Sequence, residues 1–214
     1  MTEDSVSQDR GGSDQSGFSR ERRAERISAE DIIAALDLAP HEEGGYFRET
    51  YRAEVQVSSA NGSRPASTSI LYLLTETEPS RFHRLRSDEL WFHHAGALAE
   101  LVLLGPGAVD GKTDCSRART PMHQLIGPGS PYTVVPAGWW VAARSITGVS
   151  ADWGSGRAPE RRWTADRRSS NDLSWTLVSC VVTPGFEYAD FELGDRERLL
   201  REYPEAEELI LALT

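Results

Sequence analysis

The feature that most constrains this chain is a rhythm. From Tyr46 onward, short β-type segments recur with no helical stretch between them. The candidates are Tyr46–Val57, Ile70–Leu74, Arg81–Leu85, Glu89–His94, Leu98–Leu104, Tyr132–Val135, Trp139–Ile146, Trp175–Thr183 and Tyr188–Leu193. They are rich in β-branched and aromatic residues and punctuated by Gly, Pro, Asn and Asp. About nine short strands without crossover helices predict an all-β antiparallel sandwich or barrel, not a parallel sheet. Helices are confined to the ends. Ser28 precedes Asp31 at capping-box spacing, and Ile32, Ile33 and Leu36 recur at helical intervals until Pro40 stops the pattern. Near the other end, Asp195 can cap Arg196–Tyr203, and Pro204 begins Glu205–Leu213 as a first-turn proline.

Two segments break the rhythm. Residues 1–26 are Ser, Gly, Gln and charge, with too little to bury to offset the entropy of ordering, and are expected to be a disordered tail. Residues 147–172 mix Gly and Pro with Arg157, Arg161, Arg162, Arg167 and Arg168. They form a long polar insertion, either a lid docked through Trp153 and Trp163 or a disordered loop. At 214 residues, the chain then holds one domain over 27–214. It has no long apolar run and no apolar centre near its start, so neither a membrane helix nor a secretory leader is expected. A net charge of −10 argues against nucleic acid as a partner. There are two cysteines, and Cys180 sits in an apolar run as a buried thiol, so a cytoplasmic location is expected.

The chemistry concentrates between residues 81 and 96. If Arg86-Ser87-Asp88 is a hairpin turn, Leu85 lies across from Glu89 and His83 across from Trp91. Alternation then places His83, Leu85, Glu89, Trp91 and His93 on one face, and Phe82, Arg84, Leu90, Phe92 and His94 on the other. Imidazole, carboxylate and indole facing inward are costly to bury unless they hydrogen-bond or meet a ligand. Other motifs are weaker. Ser80, Ser145 and Ser179 lack a nucleophile elbow, and Gly127-Pro128-Gly129 is a turn rather than a phosphate loop.

These motifs resemble the cupin superfamily. Its first motif is matched by His83-x-Leu85, three residues, Glu89, six residues, Gly96, with Leu85 where a second histidine would stand. Its second motif falls on Pro136-Ala137-Gly138-Trp139-Trp140-Val141, with Val141 in place of histidine. A closer resemblance is to the "cupin 5" family of RmlC-like proteins. It is carried by His41-x-Glu43-Gly44-Gly45-Tyr46-Phe47-Arg48-Glu49-Thr50-Tyr51, Phe82-His83-Arg84 with Ser87-Asp88-Glu89-Leu90-Trp91, and Val135-Pro136-Ala137-Gly138. Pro184-Gly185-Phe186-Glu187-Tyr188-Ala189-Asp190-Phe191-Glu192-Leu193 and Tyr203-Pro204-Glu205 continue it. The resemblance implies a cupin jelly-roll barrel, a small-molecule ligand in its mouth and a homodimer.

Cupin metal enzymes use both first-motif histidines, the glutamate and the second-motif histidine. Leu85 and Val141 cannot ligate, so no cofactor is expected, with a divalent metal held by His83, Glu89 and waters or His93 as the alternative. Without metal, His83 and Glu89 are candidate catalytic residues for acid–base chemistry of an isomerase or epimerase type, His83 as base or acid and Glu89 orienting it. Tyr46, Phe47, Trp91, His93 and Trp139 are candidate walls of the substrate site, and Arg81 a candidate anchor for an anion. A non-catalytic binding or sensing module using the same hollow is the other reading. Glu187 and Asp190 either close the barrel mouth or cap a loop.

Overall fold

A computed structural model describes residues 27–60, 62–105, 120–147, 150–151, 163–164 and 173–214. In chain order the elements are α1 (Ala29–Leu36), β1 (Ala39–Pro40), β2 (Tyr46–Arg52), β3 (Gln56–Ser59), β4 (Gly62–Pro65), β5 (Thr68–Thr75), β6 (Ser80–Leu85), β7 (Asp88–Gly96) and β8 (Leu98–Leu104). There follow β9 (Met122–Ile126), β10 (Tyr132–Val135), β11 (Trp140–Ile146), β12 (Ser150–Ala151), β13 (Trp163–Thr164), β14 (Trp175–Thr183) and β15 (Phe191–Leu193). The chain continues into α2 (Arg196–Glu202) and α3 (Glu207–Ala212), with 3₁₀ turns at Tyr188–Asp190 and Pro204–Ala206.

All the described strand pairs are antiparallel. One sheet runs β1-β2-β5-β14-β7-β10, the other β15-β6-β11-β8-β9, and together they make the expected jelly roll. Inner-face side chains meet in a core that includes Tyr72, Leu74, Trp91, Leu101, Leu103, Ile126, Val141 and Val178. The five-stranded sheet is buried on its outer face too. Phe82, Val102, Leu104, Trp140 and Ala142 lie under Leu199, Tyr203, Ile210 and Leu213 of the C-terminal helices. That two-sided burial explains why Leu98–Leu104 is apolar on both parities apart from Glu100. Helix α1 opens with the capping box, Ser28 Oγ accepting from Asp31 N and the Asp31 carboxylate from Ser28 N. Its Ile32, Ile33 and Leu36 cover Leu38, Leu73 and Trp175 outside the six-stranded sheet.

The hairpin expected across Arg86-Ser87-Asp88 does not form. β6 pairs with β11 and β15, and β7 with β14 and β10, so this link steps from one sheet to the other. Each strand has two neighbours in its own sheet. The long segment expected over Tyr46–Val57 divides at Ala53-Glu54-Val55 into β2 and β3. β9 was not among the expected strands, because Met122-His123-Gln124 offers little apolar pattern. The expected tail over 1–26, Cys115 and nearly all of the 147–172 insertion, including Trp153, lie outside the described residues. Among the described residues no helix is long and apolar enough to cross a membrane.

Candidate functional site

A cavity of about 210 Å³ opens at one end of the sandwich. Its floor is built from Thr68 and Ile70 of β5, His83 and Leu85 of β6, Glu89 of β7, and Cys180 and Val182 of β14. Phe47, Glu49 and Arg52 of β2 form one side, and Phe186, Glu187 and Tyr188 form the mouth. Two local devices bring these groups together. A bulge in β2 makes Glu49 pair with Ile70 and Tyr51 with Ser69, skipping Thr50. The skip reverses the strand's parity, so Arg52 turns inward opposite Thr68 while Tyr51 is 57% exposed. The second device is Gly44-Gly45. Both residues have positive φ, 103° and 64°, and a Cβ on Gly44 would stand 2.1 Å from the Pro79 carbonyl oxygen. Only glycine allows that approach, and it drops Glu43 beneath the start of β6.

Glu43 is thereby buried against His83. Ser80 Oγ donates to Glu43 Oε1 at 3.0 Å, and His83 Nδ1 lies 3.3 Å from Glu43 Oε2. His83 Nδ1 also donates to the Arg81 carbonyl at 2.9 Å. On its other side, Nε2 faces Glu89 Oε2 across the sandwich at 4.0 Å, too far for a hydrogen bond. The Glu89 carboxylate is buried, and its Oε2 has no hydrogen-bond partner. Burial of the imidazole lowers its pKa, but the charge of Glu43, the adjacent Glu89 carboxylate and the Arg81 carbonyl more than offset this, and His83 is pushed up to about 9. At neutral pH it is therefore an imidazolium. The same burial, reinforced by both carboxylates, pushes the Cys180 thiol well up, leaving it protonated.

Several hydrogen bonds hold this arrangement. Tyr72 Oη donates to the Gly44 carbonyl at 2.7 Å. Arg81 Nε donates to the Glu43 carbonyl at 3.3 Å, and another guanidinium nitrogen donates to the Glu42 carbonyl. His41 Nδ1 accepts from Glu43 N at 3.3 Å, with its ring edge-on to Phe47 at 4.5 Å. Phe191 stacks on His83 at 5.7 Å. At the mouth, Arg64 forks onto Asp190 at 2.6 and 3.0 Å, while Glu187 pairs with Arg52 at 3.0 Å.

Of the residues singled out from sequence, His83, Glu89 and Phe47 line the cavity together. The others stand elsewhere. Trp91 is fully buried in the packed core, 5.8 Å from Tyr72. Tyr46 packs outside the six-stranded sheet against the α1 cluster. Arg81 spends its guanidinium on two backbone carbonyls, so it tethers the Glu43 turn rather than facing an anion. His93 bonds the Ala97 carbonyl at 3.0 Å, and Trp139 packs against the core beside Gly105. Of the two late acids, Glu187 lines the mouth and Asp190 ties the loop down. The site residues that sequence reasoning passed over are His41, Glu43, Glu49 and Arg52. For Glu43 the signal was the Gly44-Gly45 pair behind it.

The donor set does not fit a divalent metal. Leu85 and Val141 stand in the two positions without a donor, and Val141 lies directly beside His83 in the sheet register. His93 faces away toward Ala97. Among the described residues, no group of three or more His, Cys, Asp or Glu is placed to hold a metal ion.

Comparison with known proteins agrees with this architecture. Residues 30–194 match the family model described as Cupin_5, Cupin superfamily (DUF985). A hypothetical protein from Leishmania major is 33% identical, with a TM-score of 0.66, over 87% of this chain and 98% of that one. A protein from Shewanella oneidensis is 29% identical, with a TM-score of 0.65, over 87% and 97% of the two chains. Among curated proteins no match is found.

Proposed function

Since the chain belongs to the DUF985 family of the cupin superfamily, we propose that its cavity binds a small molecule and moves a proton on it, with His83 as the acid and Glu89 as the base. The observation that carries this reading is the buried imidazolium between Glu43 and Glu89, with one Glu89 oxygen free of hydrogen bonds beside the cavity. An imidazolium at Nε2 suits stabilisation of negative charge developing on a carbonyl oxygen. The free carboxylate oxygen suits removal of a proton from the neighbouring carbon. Glu43 and the Arg81 carbonyl fix Nδ1, so the ring offers its other nitrogen in one orientation. Loss and return of a proton next to a carbonyl is isomerase- or epimerase-type chemistry. The raised pKa of His83 supports this order, since an imidazolium has no free lone pair with which to take up a proton.

The test is solvent-deuterium wash-in. In D₂O, small ketones and aldehydes bearing hydroxyl or amino groups are followed by NMR for loss of the proton next to the carbonyl. The expected result is exchange catalysed by the native protein and reduced at least about 100-fold in both His83→Gln and Glu89→Gln. Exchange that survives either substitution rejects the assignment.

One observation favours a second reading, a non-catalytic binding module. Both nitrogens of His83 already face protein oxygens, as they would in a purely supporting role. Retention of a ligand without exchange of its protons would decide for that reading.

A further inference from the structure

The charges around the cavity are unequal. Four carboxylates line it, Glu43, Glu49, Glu89 and Glu187, against the cations Arg52 and His83. Arg52 is already neutralised, with Glu49 at 2.8 Å and Glu187 at 3.0 Å. His83 is held by Glu43. Among the described lining residues, no guanidinium or ammonium is left over to meet an anion. What is left over is an acceptor, Glu89 Oε2, in a side chain more than nine-tenths buried. A buried carboxylate oxygen without a hydrogen bond is costly, and the group that best offsets the cost is a charged N–H donor.

The walls add a second preference. Phe47, Phe186 and Tyr188 present aromatic rings near the carboxylates of the mouth, Phe186 and Tyr188 in an edge-to-face pair at 5.1 Å. Aromatic rings beside acids favour cations with an apolar body, through ring electrostatics as well as contact. A volume of about 210 Å³ corresponds to roughly seven waters at about 30 Å³ each, so the guest is a small metabolite.

We infer that the cavity selects a small organic cation, an amine or amidine on an apolar or aromatic body, and rejects anions of the same size. The inference rests on the cavity being the ligand site proposed above and names the class of compound it takes. Combined with the proton-transfer reading, it points to an amine-bearing carbonyl compound as substrate. A carboxylate or phosphate would face a net negative lining whose one unspent charged donor, His83 Nε2, stands beside the Glu89 carboxylate.

Benzylammonium, benzyl alcohol and benzoate have nearly the same size and shape and differ in charge, so titration of the full chain with each at pH 7, read by calorimetry and ¹⁵N NMR shifts, tests this directly. Benzylammonium is expected to bind most tightly, with shifts at Phe47, Glu89 and Tyr188, and benzoate least. Glu89→Gln is expected to weaken benzylammonium about tenfold while leaving benzyl alcohol unchanged. Should that variant not fold, Glu187→Gln at the half-exposed mouth serves instead. It is expected to lower benzylammonium affinity by removing one rim carboxylate, while Glu49 still neutralises Arg52 and benzoate remains the weakest ligand. Benzoate binding in the native cavity as tightly as benzylammonium overturns the charge selectivity while leaving a ligand site standing. Failure of all three to bind overturns both the selectivity and the site.

Discussion

Two halves of one sandwich interior have opposite characters, although the same strands build both. Strand β5 contributes Thr68 and Ile70 to the cavity, and then Tyr72 and Leu74 to packed core. Strand β7 does the same with Glu89 and then Trp91. Strand β14 follows with Val182 lining the hollow and Val178 in the filled region. On β5 and β7 the border is crossed within two residues, and on β14 it falls at Cys180, which touches both regions. Along β5 and β14 the pairing runs unbroken across it, so on those two strands the backbone does not distinguish the sides. Side-chain volume does. Trp91 and Tyr72 fill the space on one side, edge to face, while short or polar groups leave it open on the other. A binding site in such a barrel is the part of the core that the sequence declines to fill.

The sharpest way to break this contrast is to empty the filled half. Trp91→Ala removes one of the two largest fully buried side chains and is expected to cost about 3–5 kcal/mol, read as a lowered urea midpoint. A loss below about 1 kcal/mol would mean that Trp91 is dispensable packing and that the border lies elsewhere.

The polar half should respond to pH, and the filled half should not. The folded-state pKa of His83, about 9, lies above its ordinary value of 6.5. Its contribution is therefore fully present below about pH 6.5 and is lost as pH rises through 9. On the order of 3 kcal/mol is at stake over that window. Urea denaturation from pH 6 to 10 should show this decline in the native protein and a flatter profile in His83→Gln. Parallel profiles would remove the imidazolium from the site.

The smallest expected effect sits on the border itself. Tyr72→Phe deletes the bond to the Gly44 carbonyl and should cost about 1 kcal/mol. Because that bond holds the Glu43 turn, benzylammonium affinity should fall with it. An affinity unchanged beside a lowered melting temperature would show that Ser80, His41 and Arg81 hold the turn without Tyr72.

How much of this was legible in the sequence depended on parity. Alternation along Arg81–Leu85 and Glu89–His94 placed His83, Leu85, Glu89 and Trp91 inside, and they are buried. The hairpin assumed for them was wrong, but the inference survived because both sheets turn one face to the same interior. Parity failed where strands are irregular. β7 takes an extra residue at His94, where Val178 pairs with His93 and Leu177 with Ala95, and β2 takes one at Thr50. No local pattern in Arg48-Glu49-Thr50-Tyr51-Arg52 announces that bulge, so Arg52 could not be placed in the cavity. Glu43 was hidden for another reason. It arrives from a turn rather than a strand, and its partner Ser80 lies 37 positions away.

The loop at the mouth is pinned at both ends. Gly185 N donates to the Pro65 carbonyl at 2.7 Å and Phe186 N to Thr68 Oγ1 at 2.9 Å, while Asp190 is clamped by Arg64. Between these anchors Glu187 and Tyr188 carry the long side chains of the rim, Tyr188 being 54% exposed. The rim therefore has a backbone fixed at both ends, and its side chains rather than its main chain are the parts that can rearrange.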